Sequence, residues 1–112
     1  MCEDERVVLS LLDDEYAREI LKETSTEALS AKALTERCDA SPPTIYRRLD
    51  SLQEQNLVAE RQRIASDGNH HAVYSATFER AVVELESGDL AVDVFVRDDP
   101  ADQFTHLFEE LR

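Results

Sequence analysis

The residues with the most chemistry to offer lie on one short stretch, Ser41-Pro42-Pro43-Thr44-Ile45-Tyr46-Arg47-Arg48. Hydroxyls and guanidinia bond phosphates and base edges, and an arginine can take the O6 and N7 of guanine with two parallel bonds. Such groups must be carried on a rigid element, and the sequence supplies one. Ile45, Leu49 and Leu52 recur at i, i+4, i+7 as a single apolar stripe. Thr44, Arg47, Arg48 and Ser51 are assigned to the other face. Ser41 is a good N-cap, and Pro42 at the first helical position gives up a donor that would be unpaired anyway. The spacing predicts a helix over about 42–55 whose N-terminus favours phosphate. The plainer alternative is an ordinary amphipathic surface helix, so the flanking sequence has to decide.

Before this stretch, Asp13 is a plausible cap for a helix over about 14–23, with Tyr16, Ala17, Ile20 and Leu21 inward. Ser30 caps a second helix over about 31–38, with Ala31, Leu34 and Cys38 inward, and Asp39-Ala40 makes a tight turn. Two short helices, a turn and a third helix with exposed Arg and Thr form a helix-turn-helix layout. After it, Asn56 stands where a left-handed residue ends a helix. Val58–Ile64 reads as a strand with Arg61 and Arg63 on one face. Asp67-Gly68 signals a turn and His71–Ser75 returns. The hairpin, about 58–75, is a wing, and Arg61, Arg63, Asn69 and His70 are its candidate contacts to flanking phosphate or minor groove. Residues 1–12 hold a polar tail and an apolar segment (Val7-Val8-Leu9, Leu11-Leu12) with no predicted conformation.

Residues 13–75 resemble the winged helix-turn-helix of ArsR-like transcription regulators, in the variant common in halophilic archaea. The residues that carry the likeness are Leu12-Asp13-Asp14-Glu15-Tyr16-Ala17, Leu34-Thr35-Glu36-Arg37-Cys38, Ser41 through Leu49, Leu52, Asn56-Leu57-Val58 and Asp67 through Tyr74. The resemblance implies a DNA-binding domain over 1–75. It implies a homodimeric, sequence-specific regulator of double-stranded DNA, with Ser41, Pro42, Thr44, Tyr46, Arg47 and Arg48 at the duplex. A winged-helix adaptor that binds protein rather than DNA is the alternative.

The remainder, 76–112, reads as a second hairpin and a helix. Leu90, Val92, Val94 and Val96 alternate with Ala91, Asp93, Phe95 and Arg97, as in a half-buried strand. Arg80–Glu86 is its expected partner. A last amphipathic helix over about 100–111 carries Phe104, Leu107, Phe108 and Leu111 on one stripe. It is a candidate dimer interface that would pair two recognition helices. The expected class is therefore α+β: a winged helix-turn-helix, a second β-hairpin and a C-terminal amphipathic helix.

Formal net charge is −13, which by itself is hostile to nucleic acid. Residues 41–73, however, hold four arginines against four carboxylates, so that region is neutral on an acidic body. Lys22 and Lys32 are the only lysines. An acid-rich, lysine-poor chain fits molar salt, where screening shortens to about 3 Å. The chain carries no apolar run of membrane length and no leader pattern, so a soluble, cytoplasmic protein is expected. Cys2 and Cys38 make neither a disulfide framework nor a zinc site, and adjacent His70 and His71 would point to opposite faces of a strand. No phosphate loop or nucleophile motif is present, so no enzyme activity, metal, cofactor or small-molecule ligand is expected. Cys38 is retained as a conceivable redox switch.

Overall fold

Asp14 punctuates the N-terminal half of the chain. Its extended backbone ends one helix, α1 (Glu3–Asp13), and starts the next, α2 (Glu15–Thr24). The Asp14 carboxylate accepts the amide of Ala17 at 2.8 Å, so the cap is one residue later than the sequence pattern had it. Arg18 reaches back and donates to the carbonyls of Leu12 (3.1 Å) and Asp13 (2.6 Å), which satisfies orphan acceptors at the end of α1. The segment left without a prediction is thus a helix. It has no side-chain cap of its own, and burial of Val8 and Leu11 against α2 and the fourth helix holds it.

This computed structural model describes residues 1–97. The helix expected over 100–111, with Phe104, Leu107, Phe108 and Leu111, lies outside the described residues. Ser30 caps α3 (Ala31–Arg37) by accepting from Ala33, and Asp39 takes a left-handed φ of 51° to make the turn. The fourth helix, α4 (Pro42–Glu54), ends at Asn56, whose φ of 60° is the left-handed stop expected of it. Then come β1 (Val58–Ile64) and β2 (His70–Ala76), antiparallel from Val58↔Ala76 to Ile64↔His70. Leu29 adds a bridge at Tyr74, so the wing root is tied to the loop before α3. The second hairpin is β3 (Phe78–Glu86) and β4 (Asp89–Val96), closed by Ser87-Gly88. Among the described residues, four helices and two separate two-stranded sheets make an α+β, winged-helix layout.

Ile20, Leu34, Ile45, Leu49, Leu52 and Leu57 are fully buried and form the centre of the core. Each stabilises the fold by about 1.5–3 kcal/mol relative to an exposed side chain. The apolar stripe of α4 is therefore the floor on which its other face stands.

Thr77 is the joint between the hairpins. Its amide and that of Phe78 both donate to Leu57 O, its hydroxyl donates to Asn56 O at 2.8 Å, and its carbonyl accepts from Arg97. Beyond this joint the expectation of a half-buried strand fails along much of its length. Val92 is buried and Val94 half-buried, but Leu90 is 48% exposed, Val96 44%, Val83 52% and Leu85 74% among the described residues. Alternation in β4 is real, yet the hairpin extends away from the helices, and its far half has no described neighbour to bury it.

Candidate nucleic-acid interface

The start of α4 is built to be stiff rather than to bind anions through its backbone. Pro42 and Pro43 have no N–H, and the next amide, Thr44, is spent on Ser41 Oγ at 3.4 Å. Ser41 Oγ and Thr44 Oγ1 are themselves bonded at 2.9 Å. This corrects the expectation that the helix N-terminus favours phosphate: the first-turn amides that would do so are absent or occupied. What remains is side-chain chemistry. Tyr46 is 53% exposed, and Arg47 is exposed with no carboxylate partner among the described residues. Thr44 is half-buried beside Ser41.

Arg48 departs from its expected place on the free face. Its Nε donates to Asp14 Oδ2 at 2.8 Å, in an ion pair only 29% and 27% exposed at the two side chains. The Arg48 guanidinium holds the Asp14 carboxyl below the usual carboxylate range. One carboxylate thus caps α2 and anchors α4. The signal was present in the sequence: Arg48 lies three residues after Ile45 and four before Leu52, on the flank of the apolar stripe. Its partner Asp14 is 34 positions away and no local pattern names it.

The wing has two faces. Val58, Glu60, Gln62 and Ile64 share one with Tyr74, which is buried against the core directly across the ladder from Glu60. Tyr46 and Asp50 of α4 add to the negative surroundings of that hydroxyl, so this face is the one beside α4. Burial and the Glu60 carboxylate push the Tyr74 phenol up to about 12. Arg61 and Arg63 alternate onto the opposite face, with Val73 and Ser75, toward the loop between α2 and α3. The structure therefore does not gather all four arginines onto one surface: Arg47 stands on α4, Arg48 is tied inward, and the wing pair turns away. Exposed Gln62 and Ile64, which the sequence reading passed over, occupy the α4 side instead. At the tip, Asn69 donates its backbone amide and side-chain Nδ2 to the Asp67 carboxylate, each at 3.0 Å, so its amide group helps to shape the turn. Gly68 supplies the φ of +86° this turn requires. His70 is exposed opposite Ile64, and His71 faces the other way, paired with Arg63.

An α3, a three-residue turn and a Ser-capped α4 with exposed Tyr46 and Arg47, followed at once by a hairpin, is a specific arrangement. Residues 12–61 match the helix-turn-helix domain family. The matched stretch takes in α2, α3, α4 and the first half of β1, just under half of the chain. No curated protein matches the chain.

Among the described residues around this stretch, other chemistry has little to build on. Cys38 is half-buried at the end of α3, and burial, with Glu19 and Glu23 nearby, pushes its thiol up. That disfavours the thiolate a redox switch needs. Among the described residues no group of three or more His, Cys, Asp and Glu is placed to hold a metal ion. No helix among them is long and apolar enough to cross a membrane.

Proposed function

We propose that the chain is a sequence-specific, double-stranded-DNA-binding transcription regulator of the ArsR-like, halophilic archaeal type, cytoplasmic and acting as a homodimer. The observation that carries this reading is the state of Arg47. It is an exposed guanidinium on a helix whose opposite side, Ile45, Leu49 and Leu52, is locked in the core. A rigid helix with one committed face and one free cationic face is suited to a major groove. In this reading Arg47 is the principal base contact, Thr44 and Tyr46 flank it, and Ser41 and Pro42 sit against the sugar-phosphate edge. Arg48 orients the helix through Asp14. The wing follows the duplex with His70, Gln62 and Ile64 on the α4 side.

The fold's acidity fits the same reading if the protein works at high salt, where its self-repulsion is screened. Phosphate attraction is screened too, so affinity would lean on base edges and shape. Pairing two α4 helices for an inverted repeat would fall to residues 76–112, through the uncovered hairpin face and the Phe104, Leu107, Phe108 and Leu111 stripe.

Fluorescence-anisotropy titration of random and genomic DNA at 0.1 M and 2 M KCl tests the proposal. Arg47→Ala should weaken binding to a selected site by about 1–3 kcal/mol while binding to random DNA changes less. Equal loss on both would make Arg47 a phosphate contact only. Absence of DNA binding at either salt would leave the protein–protein adaptor as the better account. Light scattering on the full chain and on Leu107→Glu tests the dimer, which the substitution should dissociate.

A further inference from the structure

The second hairpin carries one face with no charge on it. Register puts Ala81 with Val94, Val83 with Val92 and Leu85 with Leu90 on that face, while Arg80, Glu84 and Asp93 stand on the other. Phe95, on the charged face, is covered by the Arg80 guanidinium, 4.1 Å from the centre of its ring. The apolar face is buried unevenly. Val94 packs against the core near the root, and Leu85 and Leu90 at the tip are exposed. Between them Val92 is only 6% exposed, yet it stands outside the core cluster, and its cross-strand partner Val83 is 52% exposed. A two-stranded ribbon has no second layer of its own to shield a valine from above. Burial at Val92 calls for a cover that the core cluster does not supply.

Arg97, the last described residue, sits at the root of that face, where its amide donates to Thr77 O. Residues 98–112 follow. Asp98 and Asp99 make a connection of the usual strand-to-helix length, and Pro100 suits a helix start. β4 runs from tip to root, so a chain that reverses after Arg97 travels back over the hairpin. A helix over 100–111 would be about 18 Å long. Val96 to Leu90 is about 20 Å along the strand. Phe104, Leu107, Phe108 and Leu111 make one apolar stripe, and Asp102, Glu109 and Glu110 fall on the opposite side of the same helical wheel. Stripe and face thus match in length and in lack of charge. We propose that residues 100–111 seat in cis on this face, with the stripe over the Ala81–Val94 and Val83–Val92 pairs. A two-residue tether favours the chain's own tail over that of a second copy, because it holds the tail at an effective concentration on the order of millimolar. Leu85 and Leu90, at the far end of the span, stay open to a second copy. The seat goes beyond the dimer reading and stands whether or not two copies pair.

Methyl and aromatic NOEs in the full chain test the seat. Contacts from Phe104, Leu107 and Phe108 to Val83, Val92 and Val94 are expected in a uniformly labelled sample. They should be missing from isotope-filtered spectra of a mixture of labelled and unlabelled chains. Amides of residues 102–111 should exchange at least roughly tenfold more slowly in the wild type than in Phe108→Glu or Val92→Glu. Ala91→Gln, on the charged face, should leave that protection unchanged. Circular dichroism confirms that each variant is folded. Light scattering on the same samples reports pairing separately, so a monomer with a protected tail would support the seat and count against the dimer alone. Several results would overturn the seat. These are tail amides exchanging at open-chain rates in the wild type, full protection retained in Phe108→Glu, Ala91→Gln releasing the tail as much as Val92→Glu, or NOEs between differently labelled chains, which would make a second copy the occupant.

Discussion

The ion pair between Asp14 and Arg48 makes a quantitative prediction, because Asp14 has two separable duties. Replacing Asp14 with Asn keeps an N-cap acceptor for Ala17 and removes the charge; replacing it with Ala removes both. The pair is nearly three-quarters buried at each side chain, with an N–O distance of 2.8 Å. A charge-assisted bond in that setting is worth about 1.5 kcal/mol, the low end of the usual range because water still reaches it. An N-cap is worth about 1 kcal/mol. Asp14→Asn should therefore cost about 1.5 kcal/mol and Asp14→Ala about 2.5 kcal/mol. Arg48→Met should cost about 1.5 kcal/mol, and combining it with Asp14→Asn should add little, for a coupling of about 1.5 kcal/mol. Urea denaturation followed by circular dichroism measures all four. Because Arg48 lowers the Asp14 pKa in the folded state, the carboxylate stabilises the fold above its ordinary value of 3.8. That contribution is lost as pH falls through the lower folded value, so wild type and Asp14→Asn should converge in stability there. If the two substitutions add independently at neutral pH, the pair does not anchor α4. If Arg48→Met instead leaves stability intact and weakens DNA binding as much as Arg47→Ala, Arg48 belongs at the duplex after all.

Other expectations follow from single features. Tyr74 is raised from 10.0 to about 12 in the folded state, so the unfolded chain ionises first, and stability should fall by about 2 kcal/mol between pH 10 and 12. Tyr74→Phe should flatten that slope in urea titrations, and an unchanged slope would mean the phenol is not buried. Leu49→Ala, at a site 1% exposed, should cost about 2–5 kcal/mol by the same assay. Native Cys38, half-buried and with its thiol pushed up, should react with a thiol reagent far more slowly than exposed Cys2, and equal rates would refute its burial.

Much of the architecture was legible because it is local. Ser30 and Ser41 cap their helices as their chemistry requires, Asn56 stops α4, and Val58–Ile64 is a strand at the predicted bounds. Where tertiary contacts dominate, local patterns ran out. Helix α1 has no cap to announce it, and Asp14 displaces Asp13 as the cap of α2. Thr77, whose bonds to Asn56, Leu57 and Arg97 join the two hairpins, looks like an ordinary strand residue in the sequence. The face assignment of Arg61 and Arg63 was readable from the period of two, but which face meets α4 was not.

From α2 to β4 the sequence alone determined the elements and their order, because caps, prolines, turn residues and hydrophobic period act over a few positions and need no partner. Only the tertiary structure decided which arginines are free. Arg48 is committed by a carboxylate 34 residues earlier, Arg61 and Arg63 are carried behind the wing by how it docks, and Arg47 keeps its exposed place on α4. Charge is written in the composition, but its availability depends on long-range neighbours, and those exist only once the chain has folded.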